Sequence, residues 1–180
     1  RVVPGTYQVR LAVGDTVLTE PFTVLKDPRL PASDADLRAQ YRLKRAIRDR
    51  LSDLHTGLNR LRGVRRQVDE WTARARSDQR VETAAATARA ALAGAADALG
   101  APAPDRPQPG SARLKEKLVA LSAMIEESDD APTRGALEVY EELAARLADV
   151  LGRLERVVAE DIATLTDTLT AAGVPLIRVP

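Results

Sequence analysis

Apolar positions alternate at the start of this chain and recur at steps of three and four over most of the rest. Tyr7, Val9, Leu11 and Val13 fall on one side of a period-two run, with Gln8, Arg10 and Ala12 on the other. That alternation predicts a β-strand with one apolar face. Gly14-Asp15 suits a two-residue hairpin turn, because glycine accepts positive φ, and a second strand is expected over about 16–25. Pro21 lies inside it and lacks an N–H for the ladder, so it marks an edge, a bulge or a break. Two strands do not make a stable domain in water. The hairpin is therefore expected to be the end of a larger sheet, and the chain a C-terminal piece of a larger protein. The two prolines of Lys26-Asp27-Pro28-Arg29-Leu30-Pro31 keep a helix from starting early and predict a stiff linker.

From Ser33 the period changes to that of a helix. Ser33 is a suitable N-cap, and Asp34 and Asp36 sit in the first turn, where the helix dipole favours acids. The stripe Leu37, Tyr41, Ile47, Leu51, Leu54, Leu58, Leu61, Val64, Val68, Trp71 predicts a helix to about residue 75, some 60 Å long. The successive three-residue steps from Leu58 to Val64 re-aim that stripe. After a break near Ser77-Asp78, an alanine-rich helix is expected to reach Leu99 and stop at Gly100. Residues 101–110 hold four prolines and read as a loop. A third helix is expected over about 111–127 on Leu114, Leu118, Leu121 and Ile125. A fourth, entered through Pro132, is expected to run to about residue 172 on Leu137, Tyr140, Ala144, Leu147, Leu151, Leu154 and Val158, ending at Gly173. The tail 174–180 reads as extended and apolar.

The pattern therefore predicts a mainly α chain: an antiparallel four-helix bundle with two long and two short helices, preceded by a β-hairpin from a β-sandwich. The segments are 1–26 (terminal hairpin of an immunoglobulin-like domain), 27–32 (linker), 33–173 (bundle or coiled coil) and 174–180 (extended tail). Short connections favour antiparallel neighbours. Helix one would run out, helix two halfway back, helix three out again and helix four fully back, returning the tail to the hairpin. Charge favours pairing of the long helices. Residues 33–76 carry twelve Lys/Arg against six Asp/Glu, and residues 132–172 carry four against eight, so flanking ion pairs could set the partnership.

Composition narrows the chemistry. The chain has no cysteine, which excludes thiolate catalysis, disulfides and cysteine metal sites. Aromatics make up 3%, too few for an aromatic-lined ligand pocket. The formal net charge of +1 gives no global field pointing to nucleic acid. No apolar run reaches the length of a membrane span. His55, the single histidine, has Asp53 two residues away, but near neighbours of that spacing diverge on a helix, so it reads as a seam-edge or solvent residue rather than a base or metal ligand. Glu126, Glu127, Asp129 and Asp130 form an acidic knot that could hold a hard cation, yet the spacing matches no calcium loop. Arg60, Arg62, Arg65 and Arg66, with Arg74, Arg76 and Arg80 beyond, form a basic stripe without the interleaved aromatics that base stacking needs; it reads as a solvated, partly paired face. Trp71 and Tyr41 sit at stripe positions and read as core. Glycine-rich phosphate loops, serine elbows and histidine–glutamate zinc motifs are all absent from the sequence. No catalytic, cofactor-binding or metal-binding residue is expected, and no cofactor.

The strand Pro4-Gly5-Thr6-Tyr7-x-Val9-x-Leu11, followed by Pro21-Phe22-Thr23-Val24-x-Lys26-Asp27-Pro28-Arg29, resembles the C-terminal region of bacterial secreted proteins that carry a sortilin-like or BNR/Asp-box β-propeller. In those a short immunoglobulin-like domain ends in such a hairpin and a helical region closes the chain. Ser128-Asp129-Asp130-Ala131-Pro132-Thr133 and Ala172-Gly173-Val174-Pro175 are similar to that tail as well. The resemblance implies an extracytoplasmic location, whether secreted, periplasmic or in the cell envelope. It also implies an upstream propeller and immunoglobulin-like part of the same protein as partner. Any propeller active site would lie outside this chain. The expected function is a non-catalytic structural or protein-interaction module. The alternative is an accessory or attachment region of a secreted glycoside hydrolase-like enzyme. A protein partner or self-association through the coiled-coil seam fits the first reading; nucleic acid and a membrane span fit neither.

Overall fold

The structure is a computed structural model, and it describes residues 2–75, 78–99 and 114–174. The chain is mainly helical with an N-terminal antiparallel hairpin. Strands β1 (Gly5–Val13) and β2 (Thr16–Val24) pair without a bulge from Gly5↔Val24 to Val13↔Thr16. Gly14 takes φ +55° at the first turn position, the left-handed backbone that two-residue hairpin turns require. Pro21 stands opposite Gln8 in an unbroken register, so of its three possible meanings it marks an edge. The linker is folded on itself. Lys26 Nζ donates to the carbonyls of Leu30 (3.2 Å) and Ala32 (2.8 Å), and Arg29 N–H donates to Asp27 Oδ1 (2.9 Å).

Helix α1 (Asp34–Arg74) is the spine. Ser33 caps it reciprocally: Asp36 N–H donates to Ser33 Oγ (3.2 Å), and Ser33 N–H donates to Asp36 Oδ2 (2.9 Å), so two donors that no helical turn can satisfy are both bonded. The remaining helices are α2 (Gln79–Leu99), α3 (Leu114–Glu126), α4 (Arg134–Ala159) and α5 (Asp161–Ala171). Thr133, not Pro132, begins α4: its hydroxyl accepts from Ala136 N–H (3.1 Å) and the proline lies just outside the cap. The long final helix is interrupted once, at Glu160 (φ −108°, ψ −65°), whose N–H still reaches Arg156 and Val157 carbonyls. In α5 the hydroxyls of Thr164, Thr166, Thr168 and Thr170 each donate to the carbonyl four residues back, a bonding pattern that bends helices. Gly173 (φ +73°) closes α5, with Val174 N–H on Leu169 O and Gly173 N–H on Thr170 O (both 3.0 Å). That is the paired bond set of a left-handed helix stop.

The course of the helices differs from the out-and-back expectation. α2 runs back along α1, since Arg89 at its middle pairs with Asp69 (2.9 Å) and Leu99 at its C-terminal end lies against Gly57. α3 then continues back instead of turning out. Gln40 Nε2, near the start of α1, bonds the carbonyls of Ile125 (2.9 Å) and Ser128, and Lys44 pairs with Glu126 (2.9 Å). α4 therefore starts at the hairpin end and runs parallel to α1: Leu151 packs on Gly57, Arg60 pairs with Glu155, and Ile162 and Thr166 reach the level of Trp71. Among the described residues α2 and α3 do not pack side by side. They take turns on α1, and each level holds three helices rather than four. Packing one break between α2 and α3 into a single return path lets a short helix pair cover one long one, which sequence spacing does not distinguish from an extra reversal. Val174, the first residue of the apolar tail, is buried beside α5, at the end of α1 remote from the hairpin, so the tail does not start from the base as expected; residues 175–180 lie outside the described residues, as do Gly100 and the loop 101–110.

The core is one cluster along this rod. Ile47, Leu54, Leu61 and Val68 of α1 meet Leu92 of α2, Leu118 of α3, Leu147 and Leu154 of α4, and Leu165 and Leu169 of α5, all essentially without solvent exposure. Gly57 sits where α1 and α4 approach closely, so a Cβ there would run into Leu151, whereas Gly63 and Gly94 have nothing within 4 Å of that position. Two outcomes are expected in thermal or urea unfolding. Gly57→Val should destabilise the chain by about 1–3 kcal/mol through overpacking, while Gly63→Ala should stabilise it by about 0.5–1 kcal/mol, because alanine has less backbone freedom to lose in a helix. Acid should loosen the start of α1. Hydrogen bonds from Ser33 side chain and then backbone lower the Asp36 pKa. A depressed carboxylate stabilises the fold fully above its unfolded-state pKa and loses that contribution as pH falls through its folded value. The amide protection factors of Asp36 and Leu37, corrected for the intrinsic pH dependence of exchange, should therefore fall as pH drops below the ordinary carboxylate range, and Asp36→Asn should flatten that dependence.

Candidate interaction surface

The residues with the chemistry of a catalytic or metal site are not brought together. His55 is exposed on α1. The acidic knot is used locally: Glu126 takes Lys44, Ser128 Oγ donates to Asp130 Oδ2 (3.2 Å), and Asp130 N–H donates to Ser128 Oγ (3.0 Å). Among the described residues no group of three or more His, Asp or Glu is placed to hold a metal ion. In the basic stripe Arg60 pairs with Glu155 across to α4, Arg62 donates to Asn59 (3.2 Å), and Arg65 and Arg66 are exposed; Arg76 lies outside the described residues. Arg60–Glu155 joins α1 to α4, while Arg50–Asp53 and Arg153–Asp149 pair within one helix and Asp69–Arg89 and Lys44–Glu126 join α1 to α2 and α3. Trp71 is core, as its position in the stripe implied, at 7% exposure. Tyr41 is not: it is 39% exposed, because α1 turns Gln40 and Leu43 inward at that level instead of Leu37 and Tyr41. Likewise α4 buries Ala136, Leu143 and Val150 in place of Leu137, Ala144 and Leu151, leaving Leu137 43% exposed. Among the described residues no helix is long and apolar enough to cross a membrane.

Two features stand out instead, both at the hairpin end. The first is the apolar face of the hairpin. Residues directly opposite share a face, so Tyr7, Val9, Leu11 and Val13 lie with Phe22, Glu20, Leu18 and Thr16. The Tyr7 and Phe22 rings are 5.8 Å apart. Nothing among the described residues covers this face: Leu11 is 58% and Leu18 59% exposed, with Val9, Val13 and Phe22 about half or more. The other face carries Thr6, Gln8, Arg10, Thr19 and Thr23, polar over most of its length, with Pro21 opposite Gln8 and the apolar pair Ala12 and Val17 next to the turn. Side by side on the first face, Val9, Leu11, Val13, Leu18 and Phe22 form a contiguous apolar surface open to solvent among the described residues.

The second feature is a cavity of about 540 Å³ between the hairpin base and the first turns of α1. Val2, Leu25 and Leu37 give it apolar walls, and Lys44, Arg45 and Arg48 a cationic side. Its floor depends on Gln40, which sequence periodicity missed because a glutamine carries no apolar signal. Gln40 is 8% exposed, and its amide supplies the two bonds that hold the end of α3 and the turn after it. Arg48 and Asp49 pair beside this cavity (2.5 Å), and Asp49 is the cause of the upward shift of the Arg48 pKa.

No protein-family model, curated protein or solved structure matches the chain. The surface must be read from its own geometry. Gln40→Leu should cost about 1–3 kcal/mol, since it leaves the carbonyl of buried Ile125 without its donor, and that of Ser128 on the exposed turn without its protein partner. Loss of amide protection confined to α3 and the start of α4 would locate the effect, which hydrogen exchange can resolve.

Proposed function

We propose that this chain is a non-catalytic structural or protein-interaction module: a helical rod that holds an amphipathic β-hairpin at one end for assembly with another β-structure. The observation that carries the reading is the hairpin's uncovered apolar face. A two-stranded sheet has too little burial to be stable alone, and five large apolar side chains about half or more exposed on it are costly unless a partner removes them from water. The helices contribute position. α1 is capped at Ser33, directly after the linker that Lys26 ties down, so the hairpin is presented on a short tether. By the resemblance of its strands, the parent is an exported β-propeller protein, with this module at its C-terminus and an immunoglobulin-like sheet as the hairpin's partner.

The reading has a direct test. The isolated chain should bind the fluorescent apolar dye 1-anilinonaphthalene-8-sulfonate. Leu11→Lys with Leu18→Lys should abolish most of that fluorescence while leaving the helical unfolding midpoint within a few degrees. Assayed against polysaccharides and chromogenic esters, the chain should show no turnover. Turnover that co-purifies with it and disappears on substitution of one of its own polar residues would overturn the proposal.

A further inference from the structure

The two edges of the hairpin are not equivalent, and the difference says where a partner strand attaches. In an antiparallel pair, residues alternate between positions that exchange ladder hydrogen bonds and positions whose N–H and C=O point away from the partner strand. Pro21 has no N–H, so the Gln8↔Pro21 pair belongs to the second kind. By alternation Thr6, Gln8, Arg10 and Ala12 turn their backbone groups outward from β1, and Val17, Thr19, Pro21 and Thr23 turn theirs outward from β2.

The β2 edge carries two devices that oppose strand addition. Pro21 removes a donor from the middle of its outward row, and Glu20 places a charge on the apolar face of the same strand; a proline and an inward-facing charge are both means by which edge strands resist pairing. β1 carries neither. Its outward row has no proline over the nine residues Gly5–Val13, its apolar face reads Tyr7, Val9, Leu11, Val13 without a charge, and no backbone bond other than the β1–β2 ladder is made by residues 6–12 among the described residues.

We infer that β1 is a strand-addition site, and that its occupant is an extended strand of another β-structure, apolar at alternate positions and carrying a carboxylate on the intervening face. This inference rests on the interaction-module reading and adds the edge, the geometry and the chemistry of the partner. The apolar positions of the incoming strand extend the Tyr7–Val13 row, and main-chain bonds to Thr6, Gln8, Arg10 and Ala12 supply the pairing. The carboxylate follows from Arg10. It is the one charged side chain of β1, it lies on the polar face opposite Thr19, and it has no ion pair among the described residues. An acidic cross-strand neighbour satisfies it. A second copy of this chain does not. Two β1 strands overlapping antiparallel along their length bring the two Arg10 side chains together as diagonal neighbours on one face, and the joined sheets double the uncovered apolar area.

The probe is a fluorescein-labelled peptide, Thr-Val-Thr-Val-Asp-Val-Thr-Val-Thr, titrated with the full chain by anisotropy and followed by amide exchange. Saturable binding is expected, with slowed exchange at Gln8, Arg10 and Ala12 and none at Thr19. Gln8→Pro should abolish binding, because it deletes an outward donor as Pro21 does on the other strand, and Thr19→Pro should leave it intact. Replacing the peptide's aspartate by lysine should weaken binding by about two- to five-fold, the range of a cross-strand charge pair, and Arg10→Gln should remove that preference. Circular dichroism and the β1–β2 exchange pattern of each variant establish that the hairpin still forms; Arg10→Pro serves in place of Gln8→Pro if the latter does not. Absence of binding, binding unaffected by both β1 prolines, or protection on β2 overturns the inference. So does concentration-dependent dimerisation abolished by Gln8→Pro, which would make a second copy the occupant. If dye uptake on the apolar face persists while the peptide fails to bind, the strand-addition site falls and the module reading stands; catalytic turnover by the chain would remove the module reading and leave the peptide result as it is.

Discussion

The apolar stripe of α1 is longer than any other helix in the molecule, and the rest of the helical architecture follows from the need to cover it. Forty-one residues span about 60 Å, while the next longest helix has 26 residues. Coverage is therefore shared. α2 covers the remote half and α3 the hairpin half on one flank, and α4 and α5 divide the other flank at Glu160. Each junction needs local chemistry to end one segment and begin the next. The left-handed stop at Gly173, the Thr133 cap and the Gln40 amide under the α3 turn all serve this purpose. Gln40 ties the C-terminal end of α3 to the start of α1 beside the hairpin.

The hairpin obeys the opposite condition. It has an apolar face and nothing among the described residues to cover it, whereas the helices bury theirs almost completely. The two parts meet only through a short tether: Lys26 folds the linker by bonding carbonyls on its far side, and a cavity, not a packed seam, lies between the hairpin base and α1. A rigid rod joined to a sheet by so little contact does not rely on the sheet for its own stability. The sheet correspondingly gains little burial from the rod.

Much of this was legible in the sequence. The change from period two to period three-and-four placed the hairpin and α1, and Ser33 with Asp36 placed the start of α1 to the residue. Alternation along the strands gives the hairpin an apolar face and Pro21 gives it an edge, but the sequence points to a larger sheet over that face and to the helical seam as the contact, not to a face left uncovered. Direction was not legible. A bundle's topology depends on which helix ends meet, and here the contacts that join the end of α3 to the start of α1 include one glutamine amide and one lysine–glutamate pair, neither of which leaves a periodic trace. Stripe rotation was also ambiguous. In α4 the sets beginning at Ala136 and at Leu137 both repeat every seven residues, and only packing against α1 and α3 selects the first. Tyr41 lies outside the core for the same reason, since Gln40 and Leu43 take the buried positions at that level of α1.

The corrected direction changes what the rod can do. In the out-and-back arrangement both ends of the helical region would meet at the hairpin, and the bundle would be a cap on a sheet. With α4 and α5 running parallel to α1, the hairpin and the buried Val174 lie at opposite ends of the rod. A contact made by β1 at one end is then held at a fixed separation, about the length of α1, from whatever adjoins α5 at the other. Stiffness over that length is what the fold supplies, because every break in the covering helices falls at a different level along α1: α2 gives way to α3 near Gly57, and α4 to α5 beyond Arg60. No cross-section is left without an unbroken helix, and a rod with its interruptions staggered in this way transmits position better than one whose turns coincide.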